Sequence, residues 1–383
     1  MFDKLDDYPG KYTGVFFCLK FYYELCTKIF EICHKNYTFP QKIFIINIIQ
    51  ITDMTTALNN RQRFNRIMNF QDVDHVLYFE EGIRKEVLKK WGITRSAFLK
   101  KFNVNRREEI IPDLDVIPTF TKWPSTSDEL SELKTRLNPF DSKRLPKDFK
   151  SQAKKWTNAD YPLILRIHRG FFLSMGVHDN NRFLEVLHLL MENPKFVNEY
   201  MKIQGEFAAT LADIVLKEVE VDAVYFSEPI GSNVSALISP QMFEEYILES
   251  YKPILKICDK YGIQTKIFLT YANSSVLIPS ILKYGINCLW ACEVNCEEMD
   301  YLRLREKYGR KLRLIGGIDL DSLLKDKNEI KNEIIKKVPA LIEQGGYIPL
   351  ADGRVRTNVP FENYAYYRSL INEIIKSYSK KNN

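Results

Sequence analysis

What this chain lacks narrows its class first. Seven cysteines in 383 residues do not make a disulfide scaffold; three lie before residue 34 and four between 258 and 296, so a reducing cytoplasm is the expected setting. No dense basic block is present. The net charge of +6 comes from Lys and Arg scattered among Asp and Glu, which supports solubility and leaves no nucleic-acid footprint. No long hydrophobic run is present either. Ile43 to Ile51 is interrupted by Asn and Gln and is too short to span a bilayer. The acidic start MFDKLDDYPG lacks the basic and apolar regions of a signal peptide. No short repeat or low-complexity tract occurs. What remains is ordinary globular composition, 45% hydrophobic and 27% charged.

The most informative stretch is 311–363. Leu312 to Ile315 is a short apolar run closed by Gly316-Gly317 and followed by Asp319. A helical period runs from Lys327 to Glu343, Gly345-Gly346 stops it, and Tyr347 to Leu350 is a second apolar run ending at Asp352-Gly353. Strand, acid, helix, strand, acid is the grammar of a parallel α/β barrel with its chemistry on the loops after the strands. Read backward, the chain gives strands near residues 76, 112, 164, 223, 265, 288, 313 and 348, with helices between them. The expected architecture is therefore a (β/α)8 TIM barrel over 54–383, with 1–53 as an N-terminal extension or an added helical layer. Within the barrel, Ser239-Pro240 is a strong helix start, and Ser127 with Leu130, Leu133 and Leu137 marks a short amphipathic helix in a long polar connection.

Residues just past the strands converge on one mouth in such a barrel. They are Glu80 and Glu81, His168 and Arg169, Glu228, the turn from Leu269 through Tyr271 to Asn273, Glu293, Asp319, and Asp352 with Arg354. Facing acids in a cleft shift apart in pKa and suit general acid–base work, and arginines hold carboxylates in two-pronged fashion. The plainer alternative is that these acids cap the following helices. Cys288, Cys292 and Cys296 are spaced four apart; they are thiolate candidates for a metal or small core residues. Gly316-Gly317 suits either a phosphate approach or a tight turn.

Several segments in order resemble the uroporphyrinogen decarboxylase superfamily: NNRQRFNRIMNF (59–70), ALISPQMFEEYI (236–247), LWACEVNCEEMDYLRLREKYG (289–309), IGGID (315–319), GGYIPLADGRV (345–355) and VPFENYAYY (359–367). The resemblance implies a (β/α)8 barrel and two activities. One is cofactor-free decarboxylation of tetrapyrrole carboxylates. The other is zinc-dependent methyl transfer between corrinoids and thiols. It would place zinc ligands at Leu269, Tyr271 and Gly353, none of which can bind zinc, so no metal is expected. The arginine-rich segment of the porphyrinogen decarboxylases corresponds to FEEGIRKEV (79–87), where acids come first. The expectation is a cytoplasmic, cofactor-free lyase acting on a carboxylated, tetrapyrrole-like small molecule. Its acids would be Glu228, Glu293 and Asp352, and its substrate contacts Glu80, His168, Arg169, Tyr271, Asn273, Asp319 and Arg354. The alternatives are a methyltransferase served by a corrinoid on a partner protein, and a non-catalytic binding protein. No nucleic-acid or membrane partner is expected.

Overall fold

The computed structural model describes residues 58–293 and 296–382; the expectation for residues 1–53 lies outside them. Seven parallel strands form one sheet in sequence order: β1 Glu108–Ile110, β2 Leu163–His168, β3 Ala223–Glu228, β4 Thr265–Tyr271, β5 Cys288–Cys292, β6 Arg313–Ile318 and β7 Tyr347–Ala351. Helices separate successive strands, as parallel neighbours require. The strands are near-continuous runs of Ile, Leu, Val and Phe because both faces of such a sheet are covered. Among the described residues no helix is long and apolar enough to cross a membrane.

Strict alternation divides the strands into two faces. Tyr225, Ile267 and Cys288 stand in one register row, and Leu269 with Trp290 in another on the same face. Phe226 and Phe268 point the other way, toward the helices. Phe226 stacks on Tyr251, and Phe268 meets the edge of Phe243. The sheet curls: Arg107, just before β1, lies with its guanidinium 4.7 Å from the ring of Trp290 on β5. The Tyr225, Leu269 and Trp290 face is therefore the concave one.

Two expectations need correction. The run His75 to Phe79, buried from Val76 on, is not a strand. Side chains replace the ladder there. The Tyr78 N–H donates to Asn105 Oδ1 at 2.8 Å, the Asn105 N–H donates to the Tyr78 carbonyl, and Arg107 Nη1 donates to the Glu80 carbonyl at 2.7 Å. Just past this segment, Ile83 forms a parallel bridge with Val355, beyond β7. The second strand, expected over 110–117, runs instead from Glu108 to Ile110; Pro112 lacks the N–H that further pairing would need. Among the described residues the sheet thus has seven strands where eight were expected.

Helices meet expectation more closely. Leu130–Arg136 lies in the long connection, Ser239 caps the helix at Pro240, and Lys327–Gln344 joins β6 to β7. Helix Pro194–Leu216 packs against Glu249–Lys260 through Gly205, where an added Cβ would stand 2.0 Å from the Ser250 carbonyl oxygen. Gly205→Ala is expected to destabilise the fold by about 1–3 kcal/mol, because overpacking outweighs the gain in helix propensity. Urea unfolding of the variant checks this.

Candidate functional site

At the C-terminal end of the concave face, side chains from five places come together. Glu81 follows the buried 76–80 segment, and its Oε2 is buried with no hydrogen-bond partner among the described residues. Burial pushes its carboxyl above the ordinary range; Arg107 and Arg354 pull it back, while Glu109 and Glu80 push it up. Arg107 is braced by the Glu80 carbonyl, by the ring of Phe79 at 5.3 Å and by Trp290. It also pairs with Glu109 at 3.2 Å, and Glu109 accepts from the Tyr225 hydroxyl at 3.1 Å. Arg354 lies over Gly82, whose missing side chain leaves the Arg354 Cγ 3.8 Å from where a Cβ would be.

The opposite wall is built from β4, β5 and β7. Tyr271 ends β4 and is 38% exposed. Burial, together with the neighbouring Cys292, Glu81 and Glu293, pushes its phenol up to about 12, against the pull of Arg354. Cys292 pairs in register with Tyr271 and is fully buried. Burial and the carboxylates of Glu81, Asp352 and Glu293 push its thiol far up, so it is held as neutral S–H. Asp352 is 1% exposed, and its Oδ1 accepts the Leu320 N–H at 2.8 Å. Glu293 would point away from the concave face by strict alternation, but its φ of 58° turns the chain. Its Cγ comes to 4.0 Å from the place of a Cβ on Gly353. Left-handed backbone in a residue other than glycine is strained and clusters at functional sites.

The remaining candidates from the sequence stand elsewhere. Glu228 and His168 belong to the helix-facing side. The register between β2 and β3 shifts after Arg166, and His168 contacts Tyr251 of helix Glu249–Lys260. Glu228 is fully buried; its Oε1 accepts the Phe171 N–H at 2.8 Å and its Oε2 lies 2.5 Å from the Tyr251 hydroxyl. That hydroxyl is also 3.0 Å from His168 Nδ1, which accepts the Gly170 N–H. Nδ1 is therefore unprotonated and the neutral ring carries its hydrogen on Nε2. Burial, with Arg166 nearby, pushes the imidazole down to about 3, and burial pushes Glu228 up to about 7. Gly170 is obligatory here, since at φ 97° an added Cβ would stand 2.4 Å from the Ser227 carbonyl oxygen.

Glu80 faces a tyrosine cluster. Its Oε2 accepts from Tyr78 and Tyr364, with Tyr367 and Arg368 behind them. Arg169 is ion-paired with Asp115. Asn273 ties its own turn to the 232–236 loop through Val234 and Ser275. Asp319 caps the short helix Leu320–Leu324. Of the sequence candidates, the structure therefore gathers Glu81, Tyr271, Glu293, Asp352 and Arg354, and places Glu80, His168, Arg169, Glu228, Asn273 and Asp319 outside that group. Arg107, Glu109 and Tyr225 were missed. Arg107 and Glu109 stand two apart and so share a face, but β1 has only three residues and shows no period in the sequence.

Cys288 and Cys292 share that face but sit at opposite ends of β5, about 13 Å apart at the usual rise per residue, so they cannot share one metal ion. Among the described residues no group of three His, Cys, Asp or Glu is placed to hold one.

A family model described as uroporphyrinogen decarboxylase matches residues 111–374. A search of curated proteins finds no match. Among solved structures, a methyltransferase from Methanosarcina mazei is similar, with a TM-score of 0.55, 14% sequence identity and coverage of 82% of this chain and 99% of that one. At that identity the likeness speaks for the fold alone. The match to the family model spans more than half of the sequence and runs through β2 to β7 and the acids after them: this chain belongs to the uroporphyrinogen decarboxylase family.

Proposed function

We propose that the protein is a lyase that decarboxylates a small carboxylated molecule in the mouth of a closed barrel, with the 76–83 segment standing in the eighth strand position. The observation that carries this reading is Glu81, whose buried Oε2 has no partner among the described residues and whose carboxyl is raised above its ordinary range by burial, against the pull of Arg107 and Arg354. A protonated carboxyl in a dry setting is a competent general acid near neutral pH. In the proposed step the bond between carbon and carboxylate breaks, carbon dioxide leaves, and the electron pair remains on carbon. Glu81 then delivers its proton to that carbon and is reprotonated from solvent. Arg354 and Arg107 hold a second carboxylate of the substrate in two-pronged pairs. Burial, helped by the neighbouring Glu109 and Glu80, holds the Glu81 carboxyl above its ordinary range.

Zinc does not fit the positions where the family resemblance would put its ligands. Leu269 is a buried aliphatic side chain, Tyr271 a phenol and Gly353 has no side chain, so there is neither an imidazole nor a thiolate among them. The proposed chemistry runs through the chain's own acid and arginines.

The test is release of labelled carbon dioxide from carboxyl-labelled porphyrinogens and simpler pyrrole carboxylates, with the full chain and a chelator present. Turnover above a heat-treated control supports the lyase. Failure of every carboxylate, together with demethylation of methylcobalamin in the presence of a thiol, would replace it with the second reading. That reading is methyl transfer, which the Methanosarcina mazei methyltransferase of similar fold keeps in play.

A further inference from the structure

The opposite end of the sheet carries a second concentration of charge. Phe70 follows helix Asn60–Met68 in a left-handed conformation, φ 55°. Its ring edge enters the space left by Gly346, where a Cβ would stand 2.2 Å from Phe70 Cε1. Around this ring stand three guanidinium groups, Arg305 at 5.1 Å, Arg310 at 5.0 Å and Arg313 at 5.8 Å from its centroid. Arg313 opens β6 and Gly346 immediately precedes β7, so the cluster lies at the strands' N-terminal ends, away from the mouth.

No carboxylate among the described residues pairs with any of the three. The ionisable neighbours acting on Arg305 are Arg310 and the Cys288 thiol, and on Arg313 the Cys288 thiol alone. Arg305 is 5% exposed, and its Nε is buried without a partner. Each guanidinium is fixed by backbone carbonyls. Arg305 donates to Gly345 and Gly346, Arg310 to Phe70 through Nη2, and Arg313 to Met68 through Nε at 2.5 Å. Those bonds leave Nε and Nη1 of Arg310 and both Nη atoms of Arg313 without partners among the described residues. Positioned arginines with spare N–H groups and no internal counter-charge are the chemistry of oxyanion recognition. Cation–π contact with Phe70 holds them in place but does nothing to neutralise their mutual repulsion.

We infer that the Phe70, Arg305, Arg310 and Arg313 cluster is a binding site for a phosphate group, carried by inorganic phosphate or by a small phosphate ester. A dianion with several acceptor oxygens offsets most of the positive charge of the three guanidinium groups and suits the spare donors of Arg310 and Arg313. The site is separate from the mouth, so it stands or falls independently of the decarboxylase reading.

The experiment is calorimetric titration of the full chain with inorganic phosphate at fixed low ionic strength, with chloride as the control. Saturable binding to phosphate but not chloride is expected, weakened at least tenfold by Arg310→Gln and unchanged by Arg303→Gln. A second measurement needs no variant: phosphate is expected to protect Arg310 and Arg313 from phenylglyoxal, read by mass spectrometry. Adenosine monophosphate and glycerol phosphate form the ester arm. Tighter binding there than with inorganic phosphate identifies an ester as the ligand, and equal or weaker binding identifies the free ion. Absence of saturable phosphate binding, equal binding of chloride, or unprotected labelling of both arginines overturns the inference.

Discussion

Replacing Glu81 with glutamine is expected to lower turnover by about 10²–10⁴-fold, the usual worth of a positioned general acid, while leaving the fold intact. The substitution keeps shape and removes the proton. Because burial holds the carboxyl of Glu81 above its ordinary value, the folded parent keeps that proton to higher pH than the unfolded chain does. This contribution to stability is present at low pH and lost as pH rises through the folded value. Glutamine imitates the protonated form, so the variant is expected to be no less stable than the parent at neutral pH. The pH profile should change as well. Parent activity falls as Glu81 ionises on the alkaline side, and that limb should vanish from the residual activity of the variant. Arg354→Gln provides the contrast: it should raise KM, since Arg354 is placed to hold substrate, and move the alkaline limb upward instead of removing it, since its pull on the Glu81 carboxyl is lost. Steady-state kinetics and urea unfolding on the same preparations read all of this. A Glu81→Gln protein with parental turnover would remove Glu81 from the chemistry and take the lyase reading with it.

The parts of this molecule that were legible in the sequence are those in which periodicity and punctuation agree. The β6–helix–β7 unit was readable because Gly316-Gly317 and Gly345-Gly346 bracket apolar runs, and the acids beyond them mark the ends of strands. Tyr271, Glu293, Asp352 and Arg354 were found because each ends or follows a strand, and parallel strands deliver such residues to one end. The same rule does not say which face a residue takes. His168 and Glu228 also close strands, yet the shift in register after Arg166 and the reach of Tyr251 from the helix layer settle them on the outer side. No single-strand pattern contains that information, because it depends on the neighbouring strand and on a helix more than 20 residues away. The segment 76–80 misled for a related reason. Its apolar run is that of a buried strand, but Asn105 and Arg107 supply from their side chains the hydrogen bonds that a ladder would have supplied. Arg107 was invisible for the complementary reason: it precedes a strand of three residues, too short to display a period.

Glu228→Gln is expected to become more stable relative to the parent as pH rises, with the difference growing by roughly 3 kcal/mol between pH 4.5 and 8. The Glu228 carboxyl is fully buried, and burial raises it from an ordinary 4.5 to about 7. In the folded protein the proton therefore stays on until about pH 7, whereas the unfolded chain releases it near 4.5. Between those limits the folded state binds more protons, so its stability is complete below 4.5 and is lost as pH rises through 7. At about 1.4 kcal/mol for each pH unit, the interval amounts to roughly 3 kcal/mol. His168 acts in the opposite sense. Its imidazole is pushed from 6.5 down to about 3, so the unfolded chain binds the extra proton between those values, and stability rises with pH up to 6.5. In the parent the two slopes oppose each other over 4.5–6.5, and neither shows clearly in a simple pH profile. The glutamine variant removes one of them. Its oxygen can accept the Phe171 N–H as Glu228 does, and its amide can donate to the Tyr251 hydroxyl, which then donates to His168 Nδ1. The three groups thus remain bonded without a charge. Urea unfolding of parent and variant at pH 4.5 and 8 measures the difference directly, since the contribution of His168 cancels between them. An equal difference at both values would mean that the buried carboxylate is ionised at its ordinary pH, and that the proton does not reside in the Glu228, Tyr251 and His168 cluster near neutrality.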